Sequence, residues 1–226
     1  MNPDLRGSAA HVLVDDISAP SLGPNDRHHL GAVLRLRAGE LVTATDGLGR
    51  WVRCRWAGDG VLQVDGPIVE PAPTVAGRPV TVACAIPKGD RPEWIVEKLT
   101  EIGVDRIVWV ETARGVVRWT GDRAAKNRDR LAKVARSAAM QSRRTSMPSV
   151  EGPLPLAALI AEAGTVVADP DGSAMLPEGA HTVVVGPEGG FDPSELPPDV
   201  PRVSLGSTVL RVETAAFLAG YLLVSR

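Results

Sequence analysis

A stretch without hydrophobic period, residues 67–79, holds four prolines and divides the chain into two parts whose apolar residues repeat differently. Before it, short runs at 11–14, 41–45, 49–56 and 61–64 read as strands, with Gly47, Gly49, Gly58 and Gly60 supplying turns. Trp51-Val52-Arg53-Cys54-Arg55-Trp56 alternates as a half-buried strand does. This pattern predicts a small β-barrel over residues 1–70, followed by a linker at 71–79. Beyond the linker the pattern changes. Residues 80–86, 106–110, 165–168 and 181–185 read as buried strands. Between and after them lie helices at 93–102, 124–141, 154–163 and 213–224, the first with Ile95, Leu99 and Ile102 on one face and Gly103 at its end. Strands alternating with helices predict an α/β domain over 80–226 whose parallel sheet is covered on both faces. No repeat of about 20–50 residues is present, which argues against a solenoid.

Charge sharpens the division. Twenty-five Lys+Arg against 27 Asp+Glu give a net charge of −2, which excludes only a uniformly basic nucleic-acid protein. Residues 27–55 carry a local +4, residues 114–144 a local +8, and residues 151–226 a local −7. The cations are nearly all Arg, since the chain has four Lys, and guanidinium forks match phosphate oxygens bidentately. No apolar run approaches the roughly 18 residues of a membrane span, and the N-terminus lacks a signal peptide's apolar segment, so the expected location is cytoplasmic with no membrane partner. Cys54 and Cys84 have no CxxC spacing, and His28 and His29 have no Cys or carboxylate at ligand spacing. Neither a metal site nor a disulfide is expected, and both cysteines read as buried small hydrophobes.

Two glycine loops carry the candidate chemistry. Val183-Val184-Val185 runs straight into Gly186-Pro187-Glu188-Gly189-Gly190-Phe191, a tight loop at the C-terminal end of a strand, where open α/β sheets bind ligands. No Gly-Lys-Ser/Thr follows it, and it lacks the GxGxxG that opens directly into a helix, so an ordinary nucleotide fold is not indicated. About 20 residues on, Leu205-Gly206-Ser207-Thr208-Val209-Leu210-Arg211-Val212-Glu213 enters the C-terminal helix. The two loops together point to one shared pocket.

GPEGGF followed by LGSTVLRVETAAFLA is similar to the C-terminal signature of the SPOUT methyltransferases, and in particular of the ribosomal RNA small subunit methyltransferase E family. The likeness covers nearly the whole chain. Arg27-His28-His29-Leu30 and residues 33–40 resemble that family's PUA-like N-terminal domain; Lys88-Gly89-Asp90, Glu97-Lys98 and Glu101-Ile102-Gly103 resemble its first strand-to-helix segment; Gln141-Ser142, Arg144 and Pro148 resemble its QSxR…P stretch. Met140 and Arg143 stand where that pattern has Glu and Gly, and Thr208 stands where it has Arg. The resemblance implies a SPOUT-type α/β domain with a C-terminal trefoil knot, a rare departure from unknotted topology, preceded by a PUA-like barrel. It also implies a homodimer, S-adenosyl-L-methionine as cofactor, and methylation of N3 of a uridine in 16S ribosomal RNA, presented as naked RNA or as the assembled 30S subunit. The implied cofactor residues are Gly186, Pro187, Glu188, Gly189 and Gly190 with Leu205, Gly206, Ser207, Leu210 and Arg211.

N3 of uridine carries a proton, so transfer there needs a base or a cation facing O2 and O4. Arg211, Glu213 and Arg144 are the candidates. Phosphate contacts are expected from Arg35, Arg37, Arg53 and Arg55 on the barrel and from Arg136, Arg143 and Arg144 on or after the basic helix. The competing readings are a non-catalytic RNA-binding protein with a degenerate methyltransferase domain, and a SPOUT enzyme acting on another RNA position.

Overall fold

The computed structural model describes residues 2–71 and 78–226, so most of the expected linker, 72–77, lies outside the described residues. Among the described residues the chain forms two units, 2–71 with Ala139–Met147, and 78–138 with Pro148–Arg226.

The first unit runs α1 (Pro3–Gly7), β1 (Ala10–Leu13), α2 (Pro24–His28) with a π-helical turn over His29–Val33, then β2 (Leu41–Thr45), β3 (Trp51–Gly58) and β4 (Val61–Val64). Its sheet has the order β1-β2-β3-β4, with β1 parallel to β2 and the other neighbours antiparallel. The alternation expected in β3 is present: Val52, Cys54 and Trp56 are buried and Arg55 faces solvent. The sequence carried no expectation for α2 or the π turn, where Leu30 nonetheless enters the core. Part of the proline-rich stretch is structured, since Trp51 and Val69 exchange both backbone hydrogen bonds, at 3.1 and 2.8 Å.

Residues 139–147 were expected to belong with the α/β domain, yet they pack into the first unit through backbone bonds. The Thr145 carbonyl accepts from the Gly49 amide and the Thr45 hydroxyl, and the Met147 amide donates to the Gly47 carbonyl. Buried His11 adds a side-chain link, with Nε2 2.9 Å from the Arg144 carbonyl and Nδ1 2.8 Å from Thr43 Oγ1. A carbonyl only accepts, so Nε2 carries the proton and Nδ1 accepts from the threonine hydroxyl.

The second unit runs β5 (Thr81–Ala85), α3 (Arg91–Ile102), β6 (Arg106–Glu111), α4 (Gly121–Gln141), β7 (Ser149–Pro155), α5 (Leu156–Ile160), β8 (Thr165–Ser173), β9 (Thr182–Val185), β10 (Arg202–Val203) and α6 (Val212–Val224). The six strands lie in the order β10-β8-β9-β5-β6-β7, every neighbouring pair parallel. Successive residues of β5 feed opposite core layers: Val82 and Cys84 join Ile95, Leu99 and Ala216, while Ala83 joins Leu156, Leu159 and Val184. Burial on both faces is why these strands read as unbroken apolar runs. Desolvation pushes the Cys54 and Cys84 thiols up to about 11 and about 12, and both cysteines are free. Among the described residues no helix is long and apolar enough to cross a membrane.

Three stretches of the second unit differ from expectation. The helix expected at 154–163 is strand β7 as far as Pro155 and then the short α5, because Gly152, Pro153 and Pro155 favour extended backbone. β8 continues past Ala168 through Ser173, and β10 is a two-residue edge too short to leave a period.

α6 lies against α3 at Gly220, where a Cβ would sit 2.8 Å from Leu99 and 3.0 Å from Ile102 and Val104. Three core side chains cannot all yield, so Gly220→Ala is expected to cost about 1–3 kcal/mol by overpacking, read from the denaturant midpoint at unchanged slope. A second expectation concerns His11. Burial, aided by the Arg143 charge and opposed by the Arg144 carbonyl, lowers its pKa from 6.5 to about 4. The unfolded chain therefore takes up this proton first as pH falls. Stability from this group is intact above pH 6.5 and declines by about 3 kcal/mol toward pH 4. An NMR titration in which the His11 ring protonates near pH 6.5 would contradict this.

Candidate functional site

The parallel order sets β8 beside β9 over Thr165–Val167; there β8 runs on through Ser173, while the chain leaves β9 through a glycine-rich turn. From β9 it enters Gly186-Pro187-Glu188-Gly189-Gly190-Phe191. Gly190 takes a left-handed φ of +68° and donates its amide to the Pro187 carbonyl at 2.8 Å, which closes the turn. Phe191 then folds back over Gly186, where a Cβ would stand 2.8 Å from the ring. From β10 the chain returns through residues 204–211 to α6, which packs on α3, β5 and β9.

Between the two loops lies an open cavity of about 160 Å³. Its walls are Gly186, Pro187, Glu188, Gly190 and Phe191 on one side and Leu205, Gly206, Thr208, Val209 and Leu210 on the other; Val185, Val212 and Ala215 contribute from the flanking elements. Ala168, Asp169 and Pro170 of β8, where that strand has run past its pairing with β9, complete it. The lining is largely apolar, with Asp169 and Glu188 as its carboxylates. Asp169 is mostly buried and held by Arg202 Nη1 at 2.8 Å.

Seven of the ten expected cofactor residues line this cavity; Gly189, Ser207 and Arg211 belong to the same loops without lining it. The β8 contribution escaped the sequence reading because that strand was ended at Ala168, whereas it runs through Asp169 and Pro170 to Ser173.

Of the candidate catalytic groups, Arg211 is exposed and precedes the first turn of α6, its carbonyl accepting the Ala215 amide at 2.9 Å. Glu213, two residues on, turns to α3 and not to Arg211. Its Oε1 lies 3.5 Å from Nε of Arg91, while its buried Oε2 has no hydrogen-bond partner among the described residues. Arg91, the first residue of α3, also reaches Glu188 Oε1 at 3.2 Å. The sequence reading missed this arginine, since nothing in the local pattern distinguishes it from any helix-start cation. Arg144 belongs to the first unit, with its carbonyl on His11, and is not among the residues lining the cavity.

The expected phosphate-binding arginines divide in the same way. Arg35, with a left-handed φ of +54°, and Arg37 are exposed. Arg53 pairs with Asp4 and Asp65 at 3.5 and 3.2 Å, and Arg55 pairs with Asp65 at 2.7 Å and donates to the Gly39 carbonyl. Arg143 donates to the Ser8 carbonyl at 2.9 Å, and Arg136 is half-buried on α4. Among the described residues no three His, Cys, Asp or Glu side chains cluster as metal ligands do.

Residues 76–224 match the RNA methyltransferase domain family, and residues 22–56 match the RNA methyltransferase PUA domain. A ribosomal RNA small subunit methyltransferase E from Mycobacterium bovis is 38% identical, covering 92% of this chain and 87% of that protein. The chain belongs to the ribosomal RNA small subunit methyltransferase E family. Its Bacillus subtilis relative of the same name is 28% identical over 91% of this chain and 90% of its own length. The crystal structure of the Neisseria gonorrhoeae enzyme of that name, bound to S-adenosyl methionine, superimposes with a TM-score of 0.75 at 28% identity, covering 94% of this chain and 95% of the other. The chain is thus an RNA methyltransferase of this family with a PUA domain ahead of its six-stranded α/β domain.

The Phe191 ring over Gly186 gives a direct test of the cavity. Gly186→Ala is expected to push the ring aside, reducing the cavity in a crystal structure of the variant. An unmoved ring and an unchanged cavity would contradict the assignment of Gly186 as a residue that must lack a side chain.

Proposed function

We propose that this chain transfers a methyl group from S-adenosyl-L-methionine to N3 of a uridine in 16S ribosomal RNA, working as a cytoplasmic homodimer on naked RNA or on the 30S subunit. The observation that carries this reading is the cavity at the C-terminal end of β9, beside β8 and walled by two loops in a chain of this RNA methyltransferase family. Its residues fit the cofactor. Gly186 has no room for a side chain, so backbone lies directly at the wall, the apolar lining suits an adenine ring, and Asp169 and Glu188 suit hydroxyl, ammonium or sulfonium groups. When bound, the cofactor supplies an electrophilic methyl on sulfur, so alignment matters more than covalent help from the protein.

What the protein adds concerns the N3 proton and the charge that its loss leaves on O2 and O4. Arg211, exposed at the start of α6, is the cation proposed to face those oxygens. Glu213 is the proposed base: Arg91 holds one oxygen and the other is uncommitted. The return from β10 to α6 is the segment proposed to thread the trefoil knot. Exposed Tyr221, Leu222 and Val224 on α6 support a face for a second copy. RNA contact is assigned to Arg35 and Arg37 first, because the ion pairs of Arg53 and Arg55 would have to be exchanged for phosphate.

Arg211→Ala and Glu213→Gln are each expected to lower kcat by about 10²-fold at saturating cofactor; wild-type rates in both would remove the catalytic assignment. Charge reversal at Arg35 and Arg37 should flatten the salt dependence of RNA binding by about one unit of log–log slope per lost contact. Mass mapping of 16S RNA from cells lacking the gene should show one uridine without its N3 methyl. Loss at another atom or nucleotide type would overturn the stated position.

A further inference from the structure

We propose that Arg91 is a positioning residue whose guanidinium spans both loops of the cofactor pocket, holding Glu188 of one and Glu213 at the end of the other. The proposal rests on the cofactor reading above and assigns a role to a side chain that lines neither loop. Arg91 is anchored from below: α3 is fixed to the core through Ile95 and Leu99, both about 1% exposed or less. From that base Nη1 reaches Glu188 at 3.2 Å and Nε reaches Glu213 at 3.5 Å, so different nitrogens of one planar group address different carboxylates. A lysine ammonium, a point charge on a flexible stem, fixes no such pair of directions.

The loop it holds needs holding. Three of the five residues 186–190 are glycine, and fixing glycine backbone costs more conformational entropy than fixing any other residue. A second arginine acts on the far end of the same loop: Arg114 Nη1 donates to the Gly189 carbonyl at 3.1 Å and Nη2 lies 3.3 Å from Asp192. Hydrogen bonds from Ser194, with the Arg114 charge beside them, keep the Asp192 carboxyl below the usual carboxylate range. Tethering at Glu188, Gly189 and Asp192 orders the loop before the cofactor arrives, so the ordering cost is not charged to binding.

Loss of the Arg91 tether should therefore weaken cofactor affinity and loosen the loop that carries Glu188. Calorimetric titration of the full chain with S-adenosyl-L-methionine, beside hydrogen exchange of the cofactor-free protein, tests this. Arg91→Gln is expected to raise Kd about tenfold, Arg91→Lys to fall between it and wild type, and Arg91→Gln with Glu188→Gln to be no weaker than the weaker single variant. Amides of 186–191 should exchange faster in Arg91→Gln while those of β5 stay protected. Unchanged Kd, or exchange that rises equally in β5 and α3, would overturn the positioning role. No heat from the wild-type chain would overturn the cofactor reading instead, and the exchange comparison would still decide whether Arg91 orders the loop.

Discussion

Val183, Val184 and Val185 are buried on both faces of β9, and that double burial governs the second unit. A strand covered above and below by side chains meets solvent only at its ends, so any loop able to take a ligand must sit at a terminus. At the C-terminal end the chain spends its flexibility, with glycines at 186, 189 and 190, and the neighbouring β8 adds Asp169 and Pro170. The return of α6 onto α3 and β5, close enough that Gly220 has no room for a Cβ, brings the second wall back to the same place. The cavity is what remains when two loops from a tightly packed sheet are held apart by their own helices.

Charge is distributed to match a polyanionic substrate and a cationic cofactor. The acidic excess lies in 151–226, which contains Asp169, Glu188 and Glu213, while the arginine excess lies in 27–55 and 114–144. Within the basic windows the structure separates arginines that build the protein from those left for a partner. Arg53 and Arg55 share Asp65, whereas Arg35 and Arg37 are exposed. Exposed ion pairs of this kind contribute little stability each, so their main effect is to fix side-chain direction.

Much of the fold was legible because it is written in local periods. β3 alternates, β5 and β9 are continuous apolar runs, and α3 shows its face and its Gly103 stop. The glycine loops were legible because three glycines at a strand end have few other uses. What stayed hidden depends on partners distant in the chain or on backbone atoms. His11 binds the Arg144 carbonyl across 133 residues, a contact any residue at 144 can make. Arg91 acquires its meaning only when Glu188, 97 residues on, is folded beside it. Asp65 claims Arg53 and Arg55 through sheet register, which a charge count cannot see.

The central claim is that one cofactor lies between the loop after β9 and the loop before α6. A crystal structure of the chain grown with S-adenosyl-L-methionine tests it most directly. The account predicts the cofactor against Gly186–Gly190, Leu205–Leu210 and Asp169–Pro170 of β8, with Arg91 still bridging Glu188 and Glu213. A cofactor bound elsewhere on the chain, or a cavity left empty at saturating cofactor, would contradict it.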